Sequence, residues 1–409
     1  MKKYNFYFYF LSFYVFFILC FTIFNYQTIS EWALVEILIN YQGGFVRRGL
    51  IGEIDFISKE LFDSYYPILP IIIMGFLYVI NFLFIIILSL KLKKNNFLIF
   101  LLILLSPASI LFNVYDQGAL FRKDVFFITV ILLHSFIISS YFEDKIKINT
   151  YKKLLFFVVT PLLSLNMLIH EAQIFFILPH ILLSFLVFND YKKNFKNFLI
   201  YSLPIIFFII IFFNKGNGEI INGIKNSLSH YPTEIINKSY NPIHYLDGNI
   251  FLMIGNSIKL FFWYNYENTI QLLITFVLSF YFFWHLFKNF YKNNSSLIEE
   301  KHKILKEDFF KKLTVVFLII FASIIVAIDF GRFFHLLTMH LIAIFLCFPQ
   351  KFFTKKFNFF NNVNKSFMKI MIFFYFTLWV LPHGYVGYAG TNIYQSGFMK
   401  TNKKIISTI

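Results

Sequence analysis

Apolar runs of roughly 16 to 24 residues recur from one end of the chain to the other, separated by short polar segments. At 1.5 Å per residue a run of that length matches about 30 Å of hydrocarbon. The pattern predicts membrane helices over 6–25, 67–90, 97–114, 125–142, 153–168, 172–189, 198–213, 270–287, 313–328, 333–349 and 368–382. The expected class is an all-α, polytopic integral membrane protein of about eleven transmembrane helices, one membrane domain over 1–409. Several runs contain proline (Pro107, Pro161, Pro179, Pro204), which membrane helices tolerate where neighbours satisfy the freed carbonyl. The pair 153–189 also reads as one broken hairpin that stops short of crossing. Three polar stretches interrupt the rhythm: a first outer loop over 26–66, a long outer loop over 214–269, and a Lys-rich cytoplasmic loop over 288–312.

Composition agrees with the pattern. The 409 residues are 58% apolar and 14% charged, against about half and about a quarter in soluble domains. A soluble globular enzyme, a secreted disulfide scaffold and a disordered chain are excluded. Cys20 and Cys347 lie in different apolar runs, so no structural disulfide is expected. The start, Met1-Lys2-Lys3 before a long apolar run, has the look of a signal sequence, but no small-x-small cleavage site follows, and a retained first helix is expected.

Charge sets the expected orientation. Lysine-rich and lysine-poor segments alternate at every crossing, and the eleven-span topology puts 24 Lys and 7 acids on one side, with 13 bases and 14 acids on the other. The net charge of +16 is therefore a positive-inside signature with an affinity for anionic membrane lipid, and not a nucleic-acid footprint. The N-terminus is expected in the cytoplasm and the C-terminus outside. Against 33 Lys there are only four Arg: Arg47, Arg48, Arg122 and Arg332, all in outer-side segments. Lysine serves wherever a point charge suffices. Four surviving arginines mark positions that need a planar fork to grip carboxylate or phosphate in a bidentate way.

Four outer-side clusters carry candidate chemistry. In the first outer loop, apolar residues at helical spacing predict two interfacial helices, around Trp32–Ile39 and Ile51–Leu61. Between them Gly43 and Gly44 allow close backbone approach to a ligand, and Arg47 and Arg48 are candidate phosphate holders. Glu53-Ile54-Asp55 is an acid-x-acid pair, able to hold Mg²⁺ or Mn²⁺ on a diphosphate or to act as a base. The second cluster, Tyr115 to Asp124, contains Arg122 beside Lys123 and Asp124, charges that can also neutralise one another in water. The third contains His170 and Glu171 at a helix end, costly positions unless they face protein or a wet cavity; the second His of a zincin is absent. The fourth is Asp329-Phe330-Gly331-Arg332-Phe333-Phe334-His335, whose Asp329, Arg332 and His335 share one helical face and combine a base, an anion holder and an acid. Aromatic residues of the long loop read as an interfacial belt, and His134, His285 and His340 as packing residues.

These clusters share one face and have no nucleotide fold to supply them. A donor available there is lipid-linked or exported, and a polyprenyl-phosphate or diphosphate-linked sugar matches: arginine for phosphate, carboxylate for the attacking hydroxyl, a greasy flank for the lipid. With its helix count, its first outer loop and Glu53-Ile54-Asp55, the chain resembles bacterial membrane proteins of surface-polysaccharide assembly, the O-antigen or capsule polymerases and GT-C glycosyltransferases. The resemblance implies a GT-C-like or polymerase-like bundle in the bacterial cytoplasmic membrane, a catalytic or metal role for Glu53 and Asp55, and outer-side arginines on the lipid phosphate. The long outer loop departs from the polymerases in having no arginine. The alternative is a flippase or transporter of the same lipid-linked sugars, which would carry charges deep within several helices.

Overall fold

The computed structural model of the chain describes residues 2–24, 29–62, 67–92, 96–106, 108–115, 119–188, 196–237, 241–248, 255, 258–259, 283–288, 290, 307–326 and 330–354. Among them the fold is all-helical, 80% helix with no strand. In chain order the helices used below are α1 (Lys2–Phe24), α2 (Glu31–Leu38), α3 (Leu50–Phe62), α4 (Ile68–Ser89), α5 (Phe97–Leu104) and α6 (Phe112–Tyr115). They continue with α7 (Asp124–Phe142), α8 (Ile148–Ile169), α9 (Gln173–Phe188) and α10 (Ser202–Phe213). The series closes with α11 (Gly218–Ser227), α12 (Thr233–Ile236), α13 (Glu307–Val326) and α14 (Phe330–Leu346).

Five helices among the described residues are long and apolar enough to cross a membrane: Asn5–Phe24, Ile68–Leu92, Asp124–Phe142, Ile148–Ile169 and Lys196–Phe213. Two shorter apolar helices, Gln173–Phe188 and Gly331–Leu346, pack with them. The expected count of eleven is thus matched only in part. The run 97–114 is not one helix: α5 ends at Leu104 and helix returns only for the single turn of α6. Ser106 precedes Pro107, a position that disfavours helix, and its hydroxyl accepts the Ala108 N–H at 3.3 Å instead. The expected span 368–382 lies outside the described residues, as does 270–287 up to residue 282.

Central to the bundle is α7, which packs against α4, α8, α9 and α14. The expected pair of helices is present, the first ending at Ile169 and the second spanning Gln173–Phe188. His170 breaks them with extended backbone (φ −162°, ψ 127°), and Gln173 N–H bonds back to the His170 carbonyl at 3.2 Å. Within α8 a π turn spans Leu155–Val159, just before Pro161, and the Thr160 hydroxyl donates to the Leu155 carbonyl at 2.8 Å. Proline has no N–H to give, so the ladder widens there and the helix continues.

Deep between α7, α8, α9 and the turn Leu199–Tyr201 runs a chain of uncharged polar groups, all buried. Tyr201 Oη donates to the His180 carbonyl at 2.9 Å, so Ser184 Oγ must donate to Tyr201 Oη at 2.7 Å. Ser184 then accepts from Tyr151 Oη at 3.1 Å, and Tyr151 accepts from His134 Nε2 at 3.1 Å. His134 Nδ1 is left to accept from His180 Nδ1 at 3.1 Å. One terminal hydroxyl thus fixes every proton along the chain, because each hydroxyl has a single hydrogen to donate.

Two apolar cores result. The larger lines the bundle and includes Phe8, Tyr78, Phe127, Phe176, Met339 and Phe345. The smaller lies at the other side of α2, where Leu34, Val35, Leu38 and Val46 of the segment 29–62 meet Ile221, Ile224, Tyr231 and Ile243 of the segment 214–248. The two segments, distant in sequence, therefore fold as one cap over one end of the bundle. Ser30 caps α2 by accepting the Ala33 N–H at 3.3 Å, and Asn217 caps α11 by accepting that of Ile220 at 2.9 Å. The two helices expected in the first loop are present as α2 and α3. Residues Ala33 to Leu38 are all buried, however, so α2 is enclosed between the two cores and only Glu31 and Trp32 at its start are exposed.

Candidate functional site

Where the cap meets the bundle, all four arginines converge on three carboxylates. Glu36 of α2 is the centre, 1% exposed, with Arg122 Nε at 3.1 Å, Arg48 Nη1 at 3.5 Å and His170 Nε2 at 3.5 Å. Arg48 also grips Glu171 with its fork, Nε reaching the two carboxylate oxygens at 2.9 and 3.1 Å. Arg47 Nη1 approaches the same Glu171 at 3.5 Å, and its Nη2 donates to the Tyr245 carbonyl, tying the segment 241–248 to the site. Arg332, on the first turn of α14, holds Asp124 at the start of α7 in a bidentate pair of 2.6 and 2.8 Å. Lys123 is buried, and its ammonium donates to the Arg48 carbonyl at 2.7 Å.

Local backbone explains how residues from five segments meet. Arg48 has φ 68° and Phe121, just before Arg122, has φ 58°. Bulky residues adopt that left-handed region at a cost of order 1 kcal/mol, and only where surrounding contacts impose it. The break at His170 turns Glu171 toward the arginines instead of continuing α8. The alternative reading of the second cluster, charges neutralising one another in water, does not describe Arg122, Lys123 and Asp124: all three are buried, and each has a partner on another element.

Burial alone would push the Glu36 carboxyl up, but the guanidiniums of Arg122, Arg332 and Arg48 outweigh it and hold it well below the usual carboxylate range. Glu171 is depressed in the same way, burial opposing and Arg48 and His170 prevailing. Burial pulls Lys123 down to about 7, against the attraction of Glu36. Burial, reinforced by Arg48, pulls His170 down to about 4. His170 Nδ1 accepts the Ala172 N–H at 3.1 Å, so the neutral ring carries its proton on Nε2, toward Glu36. His170 is therefore a neutral ring whose N–H faces Glu36 at 3.5 Å, and its other nitrogen is already committed to the Ala172 N–H.

The remaining sequence candidates lie elsewhere. His335 is one turn further along α14, stacked on Phe112, with Nδ1 donating to the Ala108 carbonyl at 2.8 Å and Nε2 3.3 Å from Asn113 Nδ2. Asp329 lies outside the described residues. Gly43 and Gly44 do approach backbone closely, but it is the chain's own: Gly43 packs on Ile220 and Gly223 of α11 with no room for a Cβ, and Gly44 has φ 131°. Glu53 accepts from Tyr41 N–H and Gln42 Nε2, both at 2.9 Å, fixing that glycine turn. Asp55 accepts from Tyr231 Oη at 2.8 Å, and burial pushes its carboxyl up more than that bond lowers it.

Two residues apart on α3, Glu53 and Asp55 point about 200° away from each other. They do not fit a shared Mg²⁺ or Mn²⁺, and among the described residues no three His, Cys, Asp or Glu side chains converge as a metal site requires. Sequence reasoning missed Glu36, which sits between Val35 and Ile37. Its signal was present as a lone acid in the apolar stretch Ala33 to Leu38. No known protein family, curated protein or solved structure matches the chain.

Proposed function

We propose that this cluster holds the phosphate of a lipid-borne donor, and that the protein transfers or polymerises a sugar from a polyprenyl-phosphate carrier. The setting is the outer face of a bacterial cytoplasmic membrane, in assembly of a cell-surface polysaccharide such as O-antigen or capsule. One observation carries the reading. Among the described residues, five buried or half-buried cations (Arg47, Arg48, Arg122, Lys123, Arg332) share three carboxylates (Glu36, Asp124, Glu171). Asp116 and Asp329, the nearest acids in sequence, lie outside them. Forked guanidiniums gathered at one buried place, two of them on the partly exposed carboxylate of Glu171, suit the oxygens of a phosphate.

In this reading the apolar runs outside the described residues supply further crossings of a polytopic bundle, with the lysine-rich ends in the cytoplasm. The acceptor hydroxyl attacks the anomeric carbon, the bond from that carbon to the phosphate oxygen breaks, and the arginines stabilise the charge left on the phosphate. Glu171, the most exposed carboxylate of the cluster, is placed to take the acceptor's proton. Charged groups gathered at the helix ends, with only uncharged groups along the deep chain, favour an enzyme over a flippase or transporter.

Arg48→Lys keeps the charge and removes the fork. It is expected to lower affinity for a polyprenyl phosphate at least tenfold in nanodisc titrations and to stop glycan production in cells, with membrane insertion unchanged. Full affinity and full glycan yield in that variant would remove the reading.

A further inference from the structure

Glu171 stands apart from the other carboxylates of the cluster. Glu36 and Asp124 are rooted in helices and almost closed off from solvent, whereas Glu171 sits in the three-residue turn between α8 and α9 with a fifth of its side chain exposed. Its two oxygens occupy the fork of Arg48, and Oε1 also lies 3.5 Å from Arg47 Nη1. That is the geometry in which a phosphate's oxygens would be held by the same two guanidiniums. Arg48 is fixed in place from behind, its carbonyl held by Lys123 and its Nη1 facing Glu36 at 3.5 Å. The fork therefore stays where it is whether or not Glu171 occupies it. What can leave is the carboxylate on the turn.

We infer that Glu171 is a built-in stand-in for the donor's phosphate, occupying the Arg47–Arg48 seat until that phosphate displaces it. The inference rests on the phosphate reading above. It adds an order of events: the donor must enter before the carboxylate is released. Once off the guanidiniums, Glu171 loses the attraction that keeps it a poor proton acceptor, and becomes a better one beside the phosphate that displaced it. An acceptor hydroxyl arriving without a donor meets a carboxylate committed to Arg48. Idle attack by water is suppressed by the same arrangement, because the base is available only with phosphate in the seat.

The test uses the full-length protein in nanodiscs, titrated with a long-chain polyprenyl monophosphate and, separately, with inorganic phosphate to distinguish a lipid-borne from a free anion. Glu171→Gln should raise polyprenyl phosphate affinity at least tenfold, because the competing charge is gone. Glu171→Asp keeps the charge of the cluster but withdraws the carboxylate by one methylene. It should also raise affinity, by several-fold, and it covers the case in which the glutamine variant does not fold. Gain in the glutamine variant with none in the aspartate variant would mean that only net charge matters, and would overturn the inference. Unchanged or weaker binding in both would overturn it too, and if Arg48→Lys still abolishes binding the phosphate reading survives that loss. No polyprenyl phosphate binding by wild type or by either Glu171 variant would overturn both. A gain for inorganic phosphate alone would keep the stand-in and make the anion a soluble one.

Discussion

The charged cluster beneath the cap and the uncharged chain deep in the bundle tie together overlapping helices by opposite means. Both draw on α7, and where the chain uses α8 and α9 themselves the cluster uses His170 and Glu171 of the turn that joins them. In the cluster, Arg332, Arg48 and Arg122 meet carboxylates from other elements, and attraction between full charges offsets a large desolvation cost. In the chain, His134, Tyr151, Ser184 and Tyr201 pass hydrogen bonds in one direction, with no ion pair and far less to desolvate. Position explains the division. Ions at mid-membrane cost several kcal/mol, while at helix ends they keep access to water and to polar backbone. The difference also separates roles: only the cluster offers guanidinium forks, one of them on a partly exposed carboxylate, whereas the chain is an internal fastening.

Breaking one ion pair should cost more than breaking one link of the chain. Arg332→Ala strands Asp124 beneath the cap, and a buried charge that loses its partner costs about 3–5 kcal/mol; thermal unfolding in detergent measures it. Tyr151→Phe leaves the His134 Nε2–H without an acceptor and Ser184 without a donor, at about 1–3 kcal/mol by the same measurement. If the tyrosine variant proves the more damaging, the uncharged chain is the principal fastening and the contrast is reversed.

The smallest effect concerns pH, and it sharpens the contrast in ligand binding. Lys123 faces Glu36, Arg48, Glu171 and Arg122, and burial holds it at about 7. It is charged below that value and neutral above it. Affinity for a sugar polyprenyl phosphodiester, whose own charge is constant in this range, should fall a few-fold between pH 6 and pH 8. Lys123→Met should flatten the curve. His170, at about 4, does not titrate in the window. The stability sign is fixed as well: the unfolded chain holds the lysine proton up to about 10.5, so the penalty of the buried ammonium is full below about 7 and fades as pH rises between the two values. A flat binding curve in the wild type would show that Lys123 contributes no charge to the seat.

How far the molecule could be read in advance depended on which signals survive in one dimension. The arginines were legible because scarcity singled them out: four among 33 lysines, each now found in the same network. His170 and Glu171 were legible because ionisable groups at the end of an apolar helix need a partner. Glu36 was not, since a single acid among apolar neighbours has the spacing of an exposed amphipathic helix, and only the cap folding over α2 buries it. Glu53 and Asp55 misdirected for the opposite reason. An acid-x-acid spacing says nothing of direction, and on α3 it sends one carboxylate to the glycine turn and the other to Tyr231. The break in 97–114 was signalled by Pro107, but membrane helices accept proline often enough that its outcome depends on neighbours.

The widened turn at Leu155–Val159 sets which side of α8 faces inward beyond Pro161. A π turn takes up one residue more than an α turn, so side chains after Val159 sit about 100° around the axis from where an uninterrupted α-helix would put them. Tyr151, ahead of that step, joins the uncharged chain, and beyond it Thr160, Leu163, Ser164 and Met167 are buried before the helix ends at Ile169. A single peptide unit of slack thus re-aims the second half of the helix on its way to the turn that carries His170 and Glu171.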